Sequence, residues 1–181
     1  MKRIWIPFTL LGVSALGLMM VNVGKGNDHG NPLGLRSAIG LHIAPLPLNL
    51  KGADHAQVGL GSYLVNAVGD CNGCHSTSEF APGGNPFLGQ PKVINTTTYL
   101  RGGKAFGPFV SRNLRPEIGS GLPAGLTYAQ FTSAIHHGTD FDNPGQLLQV
   151  MPWPAFQNMA DEDLSAIYHY LRALPAVPPG G

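Results

Sequence analysis

There is no second cysteine pair in this chain, and that absence removes most of what its one pair could do. Only Cys71 and Cys74 are present among 181 residues. A structural zinc site takes four Cys or His ligands, usually from two paired motifs, so a zinc finger or ribbon finds no support. A thioredoxin-like dithiol sits in a βαβ pattern of β-branched strands, whereas the chain around Cys71 is helix-like and glycine-rich. A disulfide between Cys71 and Cys74 would close too small a ring to stabilise much. An excess of charge is lacking too. There are 11 basic and 10 acidic residues, and dropping Lys2, Arg3 and Lys25 with an exported segment leaves 8 against 10. That mildly acidic balance gives no support for nucleic-acid binding.

What is present is Cys71-Asn72-Gly73-Cys74-His75. Cys-x-x-Cys-His is the attachment pattern of a c-type haem. Two thiols three positions apart on a helical turn can reach the two vinyl groups on one porphyrin edge and form thioethers. The residue that follows, His75, then offers its imidazole to the iron. The trailing histidine separates this pattern from the zinc and dithiol readings, which share the cysteines alone.

The amino terminus is in keeping with that chemistry, because such attachment takes place after export across a bacterial inner membrane. Lys2 and Arg3 precede an uncharged stretch from Ile4 to Val23, which reads as an export signal. The stretch is about long enough to span a bilayer, and no clean small-x-small site follows it. Residues 1–26 are thus a signal peptide or a membrane anchor, the cleaved form being favoured, with membrane attachment through residues 4–23 as the alternative. No cysteine lies there, so a lipoprotein anchor is excluded. Residues 27–52 are rich in Gly, Pro and Asn and show no sustained helical period, which predicts a linker or strap. Residues 53–177 are long enough for one domain.

Three helices are predicted in that domain. The first runs from about Asp54 to Val68, with Val58, Tyr63, Leu64, Ala67 and Val68 available for a buried face, and it delivers Cys71. Gly59 and Gly61 each cost about 1 kcal/mol inside it, which close contact with another helix would explain. The second spans about Thr127 to His137, capped by Thr127 and stopped by Gly138. The last starts at Asp161 as cap, carries Glu162 and Asp163 at its positive end, shows the stripe Leu164, Ile167, Tyr168, Leu171 and Leu174, and stops at Leu174-Pro175. No run of strands stands out, so the expected fold class is mainly α.

A haem iron held by His75 has a second axial position. Outside the export segment only Met151 and Met159 offer a thioether. Met151 lies between Leu147 and Pro154, where two prolines impose an extended loop suited to holding a ligand. Met159 sits just before a helix and reads as core filling. His136 and His137 end a helix, and their simplest reading is helix-terminal surface.

From Gly59 to Val177 the chain resembles the monohaem class I cytochromes c of bacteria, particularly those related to the cytochrome subunits of membrane dehydrogenases. The stretch from Gly61-Ser62-Tyr63-Leu64-Val65 into Gly69-Asp70-Cys71-Asn72-Gly73-Cys74-His75 is similar to the family's first helix and attachment site. Ser111-Arg112-Asn113-Leu114-Arg115-Pro116-Glu117 is similar to its Ser-x-Asn-hydrophobic-Thr-Pro-Asp loop. Met151-Pro152-Trp153-Pro154-Ala155-Phe156, with the helix through Tyr168-His169-Tyr170-Leu171-Arg172, is similar to its ligand loop and final helix. The resemblance implies a class I cytochrome c fold, helices packed around one covalent haem c, with His75 and Met151 as axial ligands. It also implies that the first and last helices cross, small residues such as Gly59 or Gly61 meeting an aromatic such as Tyr170.

Two departures stand out. The interval from His75 to Asn113 is long and holds two echoes, Gly83-Gly84-Asn85-Pro86-Phe87 and Gly102-Gly103-Lys104-Ala105-Phe106, either a duplicated turn or an accident. Arg115 stands where the family more often has Thr. The function implied is single-electron transfer in the periplasm, soluble or anchored to the inner membrane, with no substrate chemistry of its own. Its redox partners would be a dehydrogenase and a terminal oxidase or quinol-linked complex, met through small, short-lived contacts. Two other classes are weighed against it. An open-site haem enzyme or gas sensor would follow if Met151 did not bind iron, and an assembly protein would follow if the cysteine pair held no haem.

Overall fold

A computed structural model of the chain describes residues 32–179. Among these residues the architecture is mainly helical, with one small two-stranded sheet, which is compatible with a cytochrome c fold. The helices are α1 (Pro32–Ile43), α2 (His55–Tyr63), α3 (Cys71–Cys74), α4 (Tyr128–His137), α5 (Trp153–Phe156) and α6 (Asp161–Ala173). Strands β1 (Ala105–Phe106) and β2 (Phe109–Val110) pair antiparallel as a short hairpin, Phe106 opposite Phe109.

The frame is the crossing of α2 and α6. Asp54 caps α2 through its carboxylate, which accepts from the Ala56 and Gln57 amides, the exchange expected of an Asp at an N-cap. The helix then widens into a π turn over Leu64–Val68, and the Gly69 amide donates back to the Leu64 carbonyl at 2.7 Å. That extra residue per turn rotates the face that follows. Val58, Leu64 and Val65 are buried, while Ala67 and Val68, expected inside, are exposed. Gly61 lies directly under α6: a Cβ there would overlap the Ala166 carbonyl and the Tyr170 Cβ. The expected meeting of a small residue with Tyr170 is therefore made by Gly61. Gly59 meets Ser37 of α1 instead.

The expected linker over 27–52 is corrected from Pro32 onward, where the chain forms α1 and packs along α2. Its fully buried residues are small, Ser37 and Gly40, with Leu41 half-buried against the core, so it lacks a stripe of large apolar residues at helical spacing. The strap that follows does exist. Leu46, Leu48 and Leu50 pack on the core edge, and the Asn49 amide donates to the Ala173 carbonyl at 2.8 Å.

Helix α6 buries Leu164, Tyr168, Leu171 and Leu174 as its stripe predicts, and Ala166, Tyr170 and Ala173 besides. Its cap is corrected: Ala160 holds the N-cap position, and Asp161, Glu162 and Asp163 form the first turn, favourable to the helix dipole. Helix α4 has a full capping box, Thr127 and Gln130 each satisfying the other's backbone amide, and ends on Gly138 in the left-handed conformation. Each large apolar side chain fully buried in this core contributes about 1.5–3 kcal/mol. One polar cluster is buried with them. Tyr99 donates to Asn66 Oδ1 at 2.6 Å, Tyr170 shares a 2.7 Å hydrogen bond with Tyr99, and Asn66 Nδ2 donates to the Tyr170 hydroxyl at 3.2 Å.

The two glycine echoes differ in conformation. Gly83 alone of its pair takes positive φ, and Pro86–Leu88 follows as a short 3-10 turn capped by Asn85; Gly102 and Gly103 both take positive φ and lead into β1. They are not a duplicated turn.

Candidate functional site

Cys71 and Cys74 occupy the first and last positions of α3, a single turn entered through Asp70 in the left-handed conformation. Residues three apart on a helix share a face, so the two sulfurs project from the same side. Both thiols are unpaired, Cys71 half-buried and Cys74 exposed. Burial, with Asp70 adding to it, pushes the Cys71 thiol up to about 12.

His75 ends the turn, its amide donating to the Cys71 carbonyl at 2.9 Å. Its ring Nδ1 lies 2.7 Å from the Arg112 carbonyl oxygen. A carbonyl can only accept, so Nδ1 carries the proton and Nε2 is left with its lone pair, the tautomer and orientation that a metal-ligating histidine takes. Burial lowers the ring's pKa, with the Arg112 carbonyl opposing, which favours the neutral form a ligand needs.

The turn is gripped from several sides. The Gly102 amide donates to the His75 carbonyl at 2.7 Å, and Lys104 Nζ donates to the Gly73 carbonyl at 2.5 Å. Asn72 is buried, and its Oδ1 accepts from the Ser76 hydroxyl, whose oxygen accepts from the Leu100 amide at 2.9 Å. Arg112 is placed in turn by the loop after it. Asn113 is buried and folds that loop on itself, Oδ1 accepting from the Arg115 amide at 2.9 Å and Nδ2 donating to the Arg115 carbonyl at 3.0 Å. Arg115, the departure from the family pattern, is also buried; its Nε and a guanidinium nitrogen donate to the Pro175 carbonyl at 2.9 and 2.7 Å. Sequence reasoning missed Asn72, Lys104 and the Arg112 carbonyl. Asn72 is an unspecified position of Cys-x-x-Cys-His, Lys104 lies outside that pattern, and a backbone carbonyl leaves no side-chain signal.

Met151 is positioned by a different part of the chain. It is half-buried and packs on the core edge, as Met159 also does. Its carbonyl accepts from the Trp153 amide at 2.8 Å, and Trp153 Nε1 donates to the Leu148 carbonyl at 3.1 Å. The Trp153 ring covers Gly138 at the end of α4, where any Cβ would strike it. An ion pair from Arg112 to Asp142 links this loop region to the residue that holds His75. His137 is exposed as expected, but His136 is half-buried, and its Nε2 is shielded with no hydrogen-bond partner among the described residues.

These residues fit a haem c: two unpaired thiols on one face, a neutral imidazole with its ligand nitrogen free, and a carbonyl that fixes the ring. No family model matches the chain. It is 34% identical over 118 residues to the gluconate 2-dehydrogenase cytochrome c subunit of Pantoea cypripedii, covering 65% of this chain and 23% of that protein. It is 29% identical over 191 residues to the cytochrome c subunit of alcohol dehydrogenase (quinone) from Gluconobacter oxydans, covering 98% and 37%. The corresponding subunit of Gluconacetobacter polyoxogenes is 31% identical over 167 residues, covering 86% and 33%. The likeness is to cytochrome c subunits. Those subunits belong by name to dehydrogenases, and the chain spans between about a quarter and just over a third of those relatives' length.

Proposed function

We propose that this chain is a monohaem c-type cytochrome that passes single electrons, with Cys71 and Cys74 as thioether anchors and His75 and Met151 as axial ligands. The observation that carries the reading is the His75 ring, whose Nδ1 is held by Arg112 while Nε2 stays free beside two unpaired thiols. When bound, the haem supplies a one-electron ferric/ferrous couple. The chain's own residues do the rest. The Arg112 carbonyl orients the imidazole and raises its basicity, which stabilises ferric iron, while a thioether from Met151 favours the ferrous form. His75 and Met151 together would hold the iron and leave no ligand position for oxygen or peroxide, so substrate chemistry would fall to a partner. The names of the relatives point to a dehydrogenase as that partner, with a terminal oxidase or quinol-linked complex downstream. The setting is the periplasm, with attachment to the inner membrane through residues 4–23 where that segment is retained.

Met151→Ala tests the assignment. The protein should keep its haem, lose the ferric absorption band that reports sulfur on iron, show a lower reduction potential and bind carbon monoxide when reduced. Met159→Ala should keep the band and, because Met159 is only half-buried, cost less than the ~2–5 kcal/mol of a fully buried methionine. A band that survives the first substitution and disappears in the second moves the ligand to Met159. Ready carbon monoxide binding by the unmutated protein, with no band, replaces the carrier by an open-site haem protein.

A further inference from the structure

Helix α1 leaves part of its apolar surface uncovered. A surface helix ordinarily buries its large apolar residues and shows small and polar ones to water. Here the fully buried residues are Ser37 and Gly40, pressed so close to α2 that a Cβ at Gly40 would overlap the Gly59 carbonyl, and Leu41 packs half-buried on the core. The contact is sealed by hydrogen bonds, Ser37 Oγ to the Ala56 carbonyl at 2.7 Å and Ser62 Oγ to the Gly40 carbonyl at 2.6 Å. The side chains left outside are Leu33, Leu35 and Ile39, exposed by 55%, 65% and 39%. Between His29 and Ala53 there is no Asp or Glu, while Arg36, His42 and Lys51 are present. An apolar outward face flanked by cations and free of acids matches a surface that rests on anionic lipid headgroups.

The chain's length supplies the second argument. Eight residues separate Val23, the end of the uncharged stretch, from Pro32, the start of α1. Fully extended, that connection reaches about 30 Å at most. A segment 4–23 held in a bilayer therefore keeps α1 near the membrane surface. We propose that the outward face of α1, through Leu35 and Ile39, lies in the headgroup region of a membrane. Because α1 packs on α2, and α2 leads into the Cys71–His75 turn, the contact fixes which side of the domain the attachment turn presents to a partner. The inference rests on the membrane attachment proposed above.

The test uses the full haem-loaded chain in vesicles of phosphatidylethanolamine and phosphatidylglycerol. Thioether formation consumes Cys71 and Cys74, so a nitroxide attached to Leu35→Cys, Ile39→Cys or the exposed control Lys92→Cys reports one site. At positions 35 and 39, relaxation by oxygen, which concentrates in lipid, should exceed relaxation by a water-soluble nickel chelate several-fold, with the reverse at position 92. Vesicle-bound protein whose labels at 35 and 39 meet nickel as freely as position 92 overturns the α1 contact and leaves the anchor standing. Labels shielded from both reagents mean that protein, a second copy or a partner, covers the face, and this also overturns it. Protein that stays in solution lacking its first 26 residues, with both labels open to nickel, overturns the contact and the anchor together.

Discussion

The turn carrying His75 and the loop carrying Met151 are held in different ways, although the proposed function asks both to present one atom to the same iron. Around the turn, hydrogen bonds converge on Gly73, His75 and Ser76 from Leu100, Gly102, Lys104 and Arg112, and the side chains that organise them, Asn72 and Asn113, are buried. The Met151 loop relies on the Trp153 ring over Gly138, one indole hydrogen bond and an exposed ion pair. The difference corresponds to the chemistry each would serve. A histidine that must face the iron with one chosen tautomer needs its ring fixed, whereas a flexible, uncharged thioether needs only to be brought within reach. The proposed thioethers would also make the two unequal, since haem retention would then depend on the turn and electronic character on the loop.

The largest effect separates them at once. Cys71→Ala combined with Cys74→Ala should abolish covalent haem and leave little folded protein, read by haem staining after denaturation and by circular dichroism. A doubly substituted chain that folds without haem at unchanged stability would remove the basis for the haem reading. Next comes the frame under the turn. Gly61→Val places a side chain against the Ala166 carbonyl, where α2 and α6 cannot both keep their positions, and should cost about 3 kcal/mol or more in chemical denaturation.

Much of this frame was legible in the sequence, and the limits have physical causes. The α6 stripe, the Thr127 cap and the Gly138 stop follow from local periodicity and capping, and they appear where expected. The Cys71–His75 turn stood out because two thiols and an imidazole at fixed spacing are a side-chain signal, and the structure gives it as one helical turn. Helix α1 was not legible, since periodicity detects a stripe of large apolar residues facing inward, and the fully buried residues of α1 are Ser37 and Gly40, with Leu41 only half-buried. The π turn after Tyr63 was not, because one extra residue per turn leaves no compositional mark. Nothing at Arg112 signals that its carbonyl, and not its guanidinium, would face His75.

The tyrosine cluster beside the turn adds a pH-dependent contrast of intermediate size. Burial, with the neighbouring phenol adding to it, raises Tyr99 above its ordinary 10.0, and burial raises Tyr170 as well. A group whose pKa is higher folded than unfolded stabilises fully below its unfolded value and loses that contribution as pH climbs toward the folded one. Unfolding free energy should therefore hold steady up to about pH 10 and fall above it. Tyr99→Phe removes one of the two titrating phenols and should flatten that alkaline limb. An unchanged limb in this variant would mean that the loss comes from elsewhere.

The smallest effect compares one pin from each region. Asn113 is buried and makes two hydrogen bonds to the Arg115 backbone, so Asn113→Ala strands a buried amide and a buried carbonyl and should cost about 1–3 kcal/mol. Asp142 pairs with Arg112 across a wet surface, the two side chains being 60% and 33% exposed, and such pairs contribute about 0–1 kcal/mol. Asp142→Ala should therefore barely move the denaturation midpoint, and high salt should erase what difference there is. The reduction potential provides the sharper reading. Arg112 holds His75 through its carbonyl and meets Asp142 through its guanidinium, so the two contacts are separable within one residue. If the ion pair only tethers the loop, the potential and the sulfur band stay as they were in Asp142→Ala. A clear shift in potential with stability unchanged would show instead that the exposed pair transmits the position of the Met151 loop to the His75 side, and the two regions would then have to be treated as one unit.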